Sequence, residues 1–121
     1  YFRDNFYCDS GMIAFLVLLT VLAREKLPLS RIVAQVRRYH CSGEINFHVE
    51  DKAAVMAGIR DAYRGGTLTT LDGIRIDFPS WWFNVRPSNT EPYLRLVVEA
   101  TTSDELRART AQLTARIGRP A

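Results

Sequence analysis

Arg86-Pro87-Ser88-Asn89-Thr90-Glu91-Pro92-Tyr93-Leu94-Arg95 is the stretch whose residue types and spacing are best suited to chemistry, and that chemistry is anion binding. Pro87 and Pro92 each hold φ near −65°, so the loop between them has a partly preset backbone. Ser88, Asn89 and Thr90 offer small side-chain donors together with main-chain N–H groups. Arg86 and Arg95 flank the loop, and a guanidinium presents a planar fork of donors that matches a phosphate or a carboxylate. Read alone, a Ser-Asn-Thr loop is more often an ordinary polar turn. The flanking arginines and prolines favour an anion cradle. Ser88 and Thr90 alternate in direction, so Asn89 or a backbone N–H is needed to complete the shell.

Other candidates are weaker. His40, Cys41 and His48 have metal-ligating side chains, but neighbours in an extended segment diverge and no second cysteine pair completes a tetrahedral set. Asp72 is best explained as part of an Asp72-Gly73 hairpin turn, and Asp77 falls on the solvent side of an alternating strand. Trp81 and Trp82 must point to opposite sheet faces, one into the core and one partly exposed, where it could border a ligand cleft or a neighbouring domain. No Ser/His/Asp or Cys/His arrangement and no glycine-rich nucleotide fingerprint is present. The segment carries no convincing catalytic nucleophile or base.

The elements that must position the loop follow from periodicity. Asp9 or Ser10 caps a helix running to about Glu25, and Pro28 or Ser30 starts a second, whose apolar positions are Leu29, Ile32, Val33 and Val36. Ile45, Phe47 and Val49 alternate with polar residues as in a half-buried strand. Glu50 and Asp51 suit the start of a helix with an apolar stripe of Val55, Ile59, Ala62 and Tyr63, ended by Gly65-Gly66. Strands are predicted at 67–71, 74–78 and 81–85, the first two joined by a two-residue type I′ turn at Asp72-Gly73. After the loop come a strand from Tyr93 to Ala100 and a final helix. Thr102 and Glu105 form the capping box of that helix, and Leu106, Leu113 and Ile117 face its core. From Gly43 onward the order predicts an α+β fold, an antiparallel sheet with helices on one face.

Composition sets outer bounds. The 121 residues fit one ordinary domain, with a hydrophobic fraction of 47%. A net charge of +3 is too mild to argue for nucleic acid. Cys8 and Cys41 lack paired spacing and read as reduced thiols of a cytoplasmic protein. The apolar run from Gly11 to Ala23 is too short to span a bilayer, which needs about 20 residues. A helix apolar on nearly every side is normally buried in a large protein. With no methionine at its start, the chain reads as an internal or C-terminal part of a longer polypeptide.

The loop string closely resembles the phosphate-binding loop of the α-D-phosphohexomutase superfamily, Arg-Pro-Ser-Gly/Asn-Thr-Glu-Pro-x-x-Arg, found in that family's fourth and last domain. Val97 to Ala100 follow it in the family's manner. Tyr1-Phe2-Arg3-Asp4 and Asp9-Ser10-Gly11 resemble the segment just after the sugar-recognition loop of the third domain. Asn89 in place of glycine suits the phosphomannomutase/phosphoglucomutase branch, since Asn tolerates positive φ better than most residues.

The resemblance implies two helices left over from an α/β third domain (1–40), then a TBP-like fourth domain (41–121). It implies a parent enzyme that interconverts hexose 1-phosphate and hexose 6-phosphate. A phosphoserine, Mg²⁺ and a hexose 1,6-bisphosphate intermediate would serve the reaction, with phosphoserine and metal held by parts of the polypeptide outside this chain. Carried over position by position, Arg86, Ser88, Asn89, Thr90 and Arg95 would grip the non-reacting phosphate. The partners implied are a phosphosugar and the other domains of the polypeptide, with no nucleic acid and no membrane. The fragment alone is expected to be inactive, and its apolar N-terminal helix to pack on the fourth domain or on a second copy of the chain. The rival reading is a non-catalytic module that binds nucleic acid or another anion. It would call for exposed aromatics on adjacent strands and a larger basic excess.

Overall fold

The computed structural model describes residues Tyr1 to Ala121, which form two compact units, Tyr1–Arg37 and Arg38–Ala121. In the first, a 3₁₀ turn at Arg3–Asn5 precedes helices α1 (Gly11–Glu25) and α2 (Leu29–Val36). Ser10 caps α1 by accepting from the Ile13 N–H at 3.3 Å, and α2 starts directly after Pro28. No residue of either helix is buried. α1 is apolar on all sides, and one short amphipathic helix cannot cover it.

The second unit is a six-stranded antiparallel sheet with two helices on one face. Its elements are β1 (His40–Cys41), β2 (Ile45–His48), α3 (Lys52–Ala62), β3 (Thr67–Thr69), β4 (Ile74–Asp77), β5 (Trp81–Pro87), β6 (Tyr93–Ala100) and α4 (Ser103–Ile117). The sheet order is β1-β6-β5-β4-β3, with β2 also paired to β6. Period-2 alternation sends Phe47, Ile76, Trp81, Phe83, Val85, Leu94, Leu96 and Val98 to the helix side, where Ile59, Leu113 and Ile117 meet them. The opposite face carries Arg75, Asp77, Trp82, Asn84, Arg86, Arg95 and Glu99, none of them buried.

β1 and β2 are one strand interrupted by a bulge. Cys41 pairs with Glu99 and Ile45 with Leu96, so one residue on the β1–β2 side has no counterpart on β6. Gly43 takes φ +70 there, and Ser42 holds both polar groups of Val98, its N–H donating to the Val98 carbonyl and its Oγ accepting from the Val98 N–H.

Several expectations are corrected. β3 ends at Thr69, so Thr70 to Gly73 form a longer loop in place of a two-residue type I′ turn. Type I′ needs positive φ at both central residues, and only Gly73 has it. Gly73 is instead required by close approach, since a Cβ would lie 2.4 Å from the Val85 carbonyl oxygen and 2.7 Å from Arg86 Cα. The α3 stripe turns through Met56 and Tyr63, leaving Ala62 exposed. The capping box is half formed: Thr102 Oγ1 accepts from the Glu105 N–H, but the Glu105 carboxylate turns to Ser80 at 3.0 Å. Trp81 is buried and Trp82 half-buried, as alternation predicts. Asp51 caps α3, accepting from Ala54 N–H at 2.9 Å.

Candidate anion-binding site

β5 and β6 bring the two arginines together. Arg86 and Arg95 are direct cross-strand partners, so their side chains leave the same face of the sheet side by side. One residue further, Pro87 pairs with Leu94, and Ser88 to Pro92 cross the end of the sheet, closed by the Ser88 N–H donating to the Tyr93 carbonyl at 2.9 Å. Below the loop a cleft of about 450 Å³ is lined by Arg86, Ser88, Asn89, Thr90 and Arg95, with Asp72 and Gly73 of the β3–β4 loop and Met56 of α3. All five residues singled out from the sequence thus meet at one place.

The loop is held from the helix side. Lys52 Nζ donates to the Glu91 carbonyl at 2.9 Å and to the Ser88 carbonyl at 3.4 Å, and the Val49 N–H donates to the Pro92 carbonyl at 3.2 Å. These three carbonyls are thereby engaged, while the Asn89 and Thr90 N–H groups donate to no acceptor in the chain. Arg95 Nε is buried and also unpartnered. These are the donors an anion would need.

Three carboxylates accompany the arginines. Glu44 bridges them, Oε2 lying 3.2 Å from Arg86 Nη2 and Oε1 3.7 Å from Arg95 Nη1. Asp72 Oδ2 meets Arg86 Nη1 at 3.2 Å, and Glu91 Oε2 meets Arg95 Nη2 at 3.4 Å. The hydrogen bond to Glu44, followed by that to Asp72, raises Arg86 above the ordinary guanidinium value. Asp72 is therefore more than the turn residue read from sequence: its carboxylate pairs with Arg86 and its carbonyl accepts from Asn84 Nδ2 at 2.8 Å.

The remaining candidates stand apart from the cleft. Arg75 forms a bidentate pair with Asp77 and lies over the Trp82 ring, 3.9 Å from its centroid, while Trp82 Nε1 donates to Glu99. That pairing, opposed in part by burial, holds the Asp77 carboxyl below its ordinary value. His48 packs edge-on to Tyr93. His40 and Cys41 lie on β1, and no three His, Cys, Asp or Glu side chains anywhere in the chain are grouped to hold a metal ion. The residues present therefore do not fit a Mg²⁺ site. Lys52, Glu44 and Asp72 were missed as site residues because no local pattern marks them.

Comparison with known proteins gives the family. Residues 44–116 match the family described as phosphoglucomutase/phosphomannomutase, C-terminal domain. The chain belongs to that family. It is 44% identical over 102 residues to phosphohexose mutases of Xanthomonas campestris pv. campestris, a match covering 82% of this chain and 23% of that protein. To a phosphomannomutase of Escherichia coli it is 41% identical over 119 residues, covering 95% of this chain and 26% of the relative. A crystal structure of a phosphoglucomutase/phosphomannomutase family protein from Burkholderia thailandensis superposes with TM-score 0.65 at 24% identity, over 100% of this chain and 27% of that one, a likeness of fold. The chain thus spans about a quarter of the length of the curated relatives it matches.

Proposed function

We propose that this chain is the C-terminal part of a phosphomannomutase/phosphoglucomutase, and that Arg86, Ser88, Asn89, Thr90 and Arg95 clamp the substrate phosphate that is not reacting. The observation that carries this reading is the convergence on one cleft of two cross-strand arginines and a loop whose Asn89 and Thr90 N–H groups have no acceptor in the chain. No side chain in that cleft is a nucleophile poised beside a base, so the site binds and orients. Remote phosphate binding of this kind supplies positioning energy to a reaction carried out elsewhere.

The parent enzyme, on this reading, interconverts hexose 1-phosphate and hexose 6-phosphate in the cytoplasm through a phosphoserine and a hexose 1,6-bisphosphate. The phosphoserine and a Mg²⁺ ion belong to parts of the polypeptide outside this chain. Relatives about four times as long support that division. The 121-residue chain is then inactive alone. An assay with glucose 1-phosphate or mannose 1-phosphate should show no turnover, and turnover by the purified chain would overturn the division. Binding separates the clamp from the rival module: inorganic phosphate should bind, whereas tight oligonucleotide binding with a steep salt dependence would favour the rival.

A further inference from the structure

Glu44 touches both arginines of the clamp with one oxygen each, at 3.2 and 3.7 Å. It reaches them because the extra residue at the Ser42-Gly43 bulge re-aims the strand just before β2. With Asp72 and Glu91 engaged as well, every terminal guanidinium nitrogen of the pair faces a carboxylate. Two positive charges meet three negative ones. A phosphate dianion arriving at this site would find both forks occupied by carboxylates. Asp72 and Glu91 each take one arginine; only Glu44 spans both, as a phosphate would.

We propose that Glu44 is a displaceable latch: its carboxylate holds Arg86 and Arg95 together when the clamp is empty and is expelled by the incoming phosphate. This rests on the phosphate-clamp reading of the site. Two arginines directly opposed across neighbouring strands repel each other, and a bridging carboxylate keeps them side by side. Exposed ion pairs are individually weak, so a dianion offering several oxygens can replace this one. The Glu44 side chain is more than a third exposed and has solvent to swing into. A clamp that must release one phosphate and accept another within a turnover would be kept from over-tight binding by such an internal competitor.

Glu44→Gln keeps the side-chain shape and removes the charge. Titration of the 121-residue chain with inorganic phosphate, followed by amide shifts of Ser88 to Thr90, should show E44Q binding about threefold or more tighter than the parent, the scale of an exposed ion pair. Glu44→Ala should move the same way. Asp104→Asn, an equal charge change at the start of α4, should leave affinity unaltered. Equal or weaker phosphate binding by E44Q, with the parent still responding, overturns the latch and leaves the clamp standing. A matching gain in D104N would assign the effect to net charge and overturn the latch as well. No phosphate response in any variant overturns both.

Discussion

Two like charges placed opposite each other on neighbouring strands cost stability unless a ligand or an acid lies between them, and Arg86 and Arg95 hold that position. Glu44 lies between them and offsets that cost, a pairing that supports the anion-binding reading proposed above. Replacing either arginine by Met should weaken inorganic phosphate binding by about tenfold or more, the worth of a charge-assisted hydrogen bond, as read by calorimetry. Arg95→Lys should recover only part of it, because a point charge cannot reproduce the fork. A second prediction concerns Asp77, whose carboxyl is held below its ordinary value of 3.8 by Arg75. A depressed carboxylate stabilises the fold above its unfolded value, and that contribution is lost as pH falls through the folded one. Asp77→Asn should therefore reduce stability near neutrality and flatten its decline below about pH 4, in denaturation followed across pH. The effect is small because both partners are partly exposed. At this scale the sequence made the five loop residues legible, since prolines, hydroxyls and arginines are adjacent in the chain. Glu44 reaches the site through the bulge, Asp72 through the β3–β4 loop and Lys52 from the first turn of α3, meetings that no local pattern announces.

Alternation made the strands readable, and helix periodicity placed Ile59, Leu113 and Ile117 in the core. What the pattern could not show was how Gly73 is used. Its sequence context looks like a tight turn, yet its lack of a side chain serves contact with β5 immediately behind Arg86. Gly73→Ala combines positive φ with a clash against backbone, and should destabilise the second unit by about 1–3 kcal/mol in chemical denaturation. It should also weaken phosphate binding, because Arg86 Cα must move. Leu113→Ala, buried in the core and not part of the cleft lining, tests the core alone: a loss of about 2–5 kcal/mol is expected with phosphate affinity retained. The β1–β2 bulge was equally hidden, for Ser42-Gly43 carries no apolar marker that would reveal a slip in register.

For the whole molecule, the first unit poses the clearest physical problem. Met12, Phe15, Leu16 and Leu19 are 44–69% exposed on a helix that is apolar all round. Free in water, such a surface favours association. Sedimentation of the 121-residue chain should show concentration-dependent self-association that Leu16→Glu with Leu19→Glu abolishes; a monomer at all concentrations would contradict this. The apolar run itself was plain in the sequence, but what covers it was not, because a helix apolar on all sides does not specify its partner. The phosphate clamp is open to a direct test in solution. Amide and arginine side-chain shifts should be mapped while inorganic phosphate, and then mannose 6-phosphate, is added. Saturable changes centred on Ser88, Asn89 and Thr90 and on the Arg86 and Arg95 guanidinium groups are predicted. Changes absent from that loop, or centred on another surface while it stays silent, would contradict the clamp.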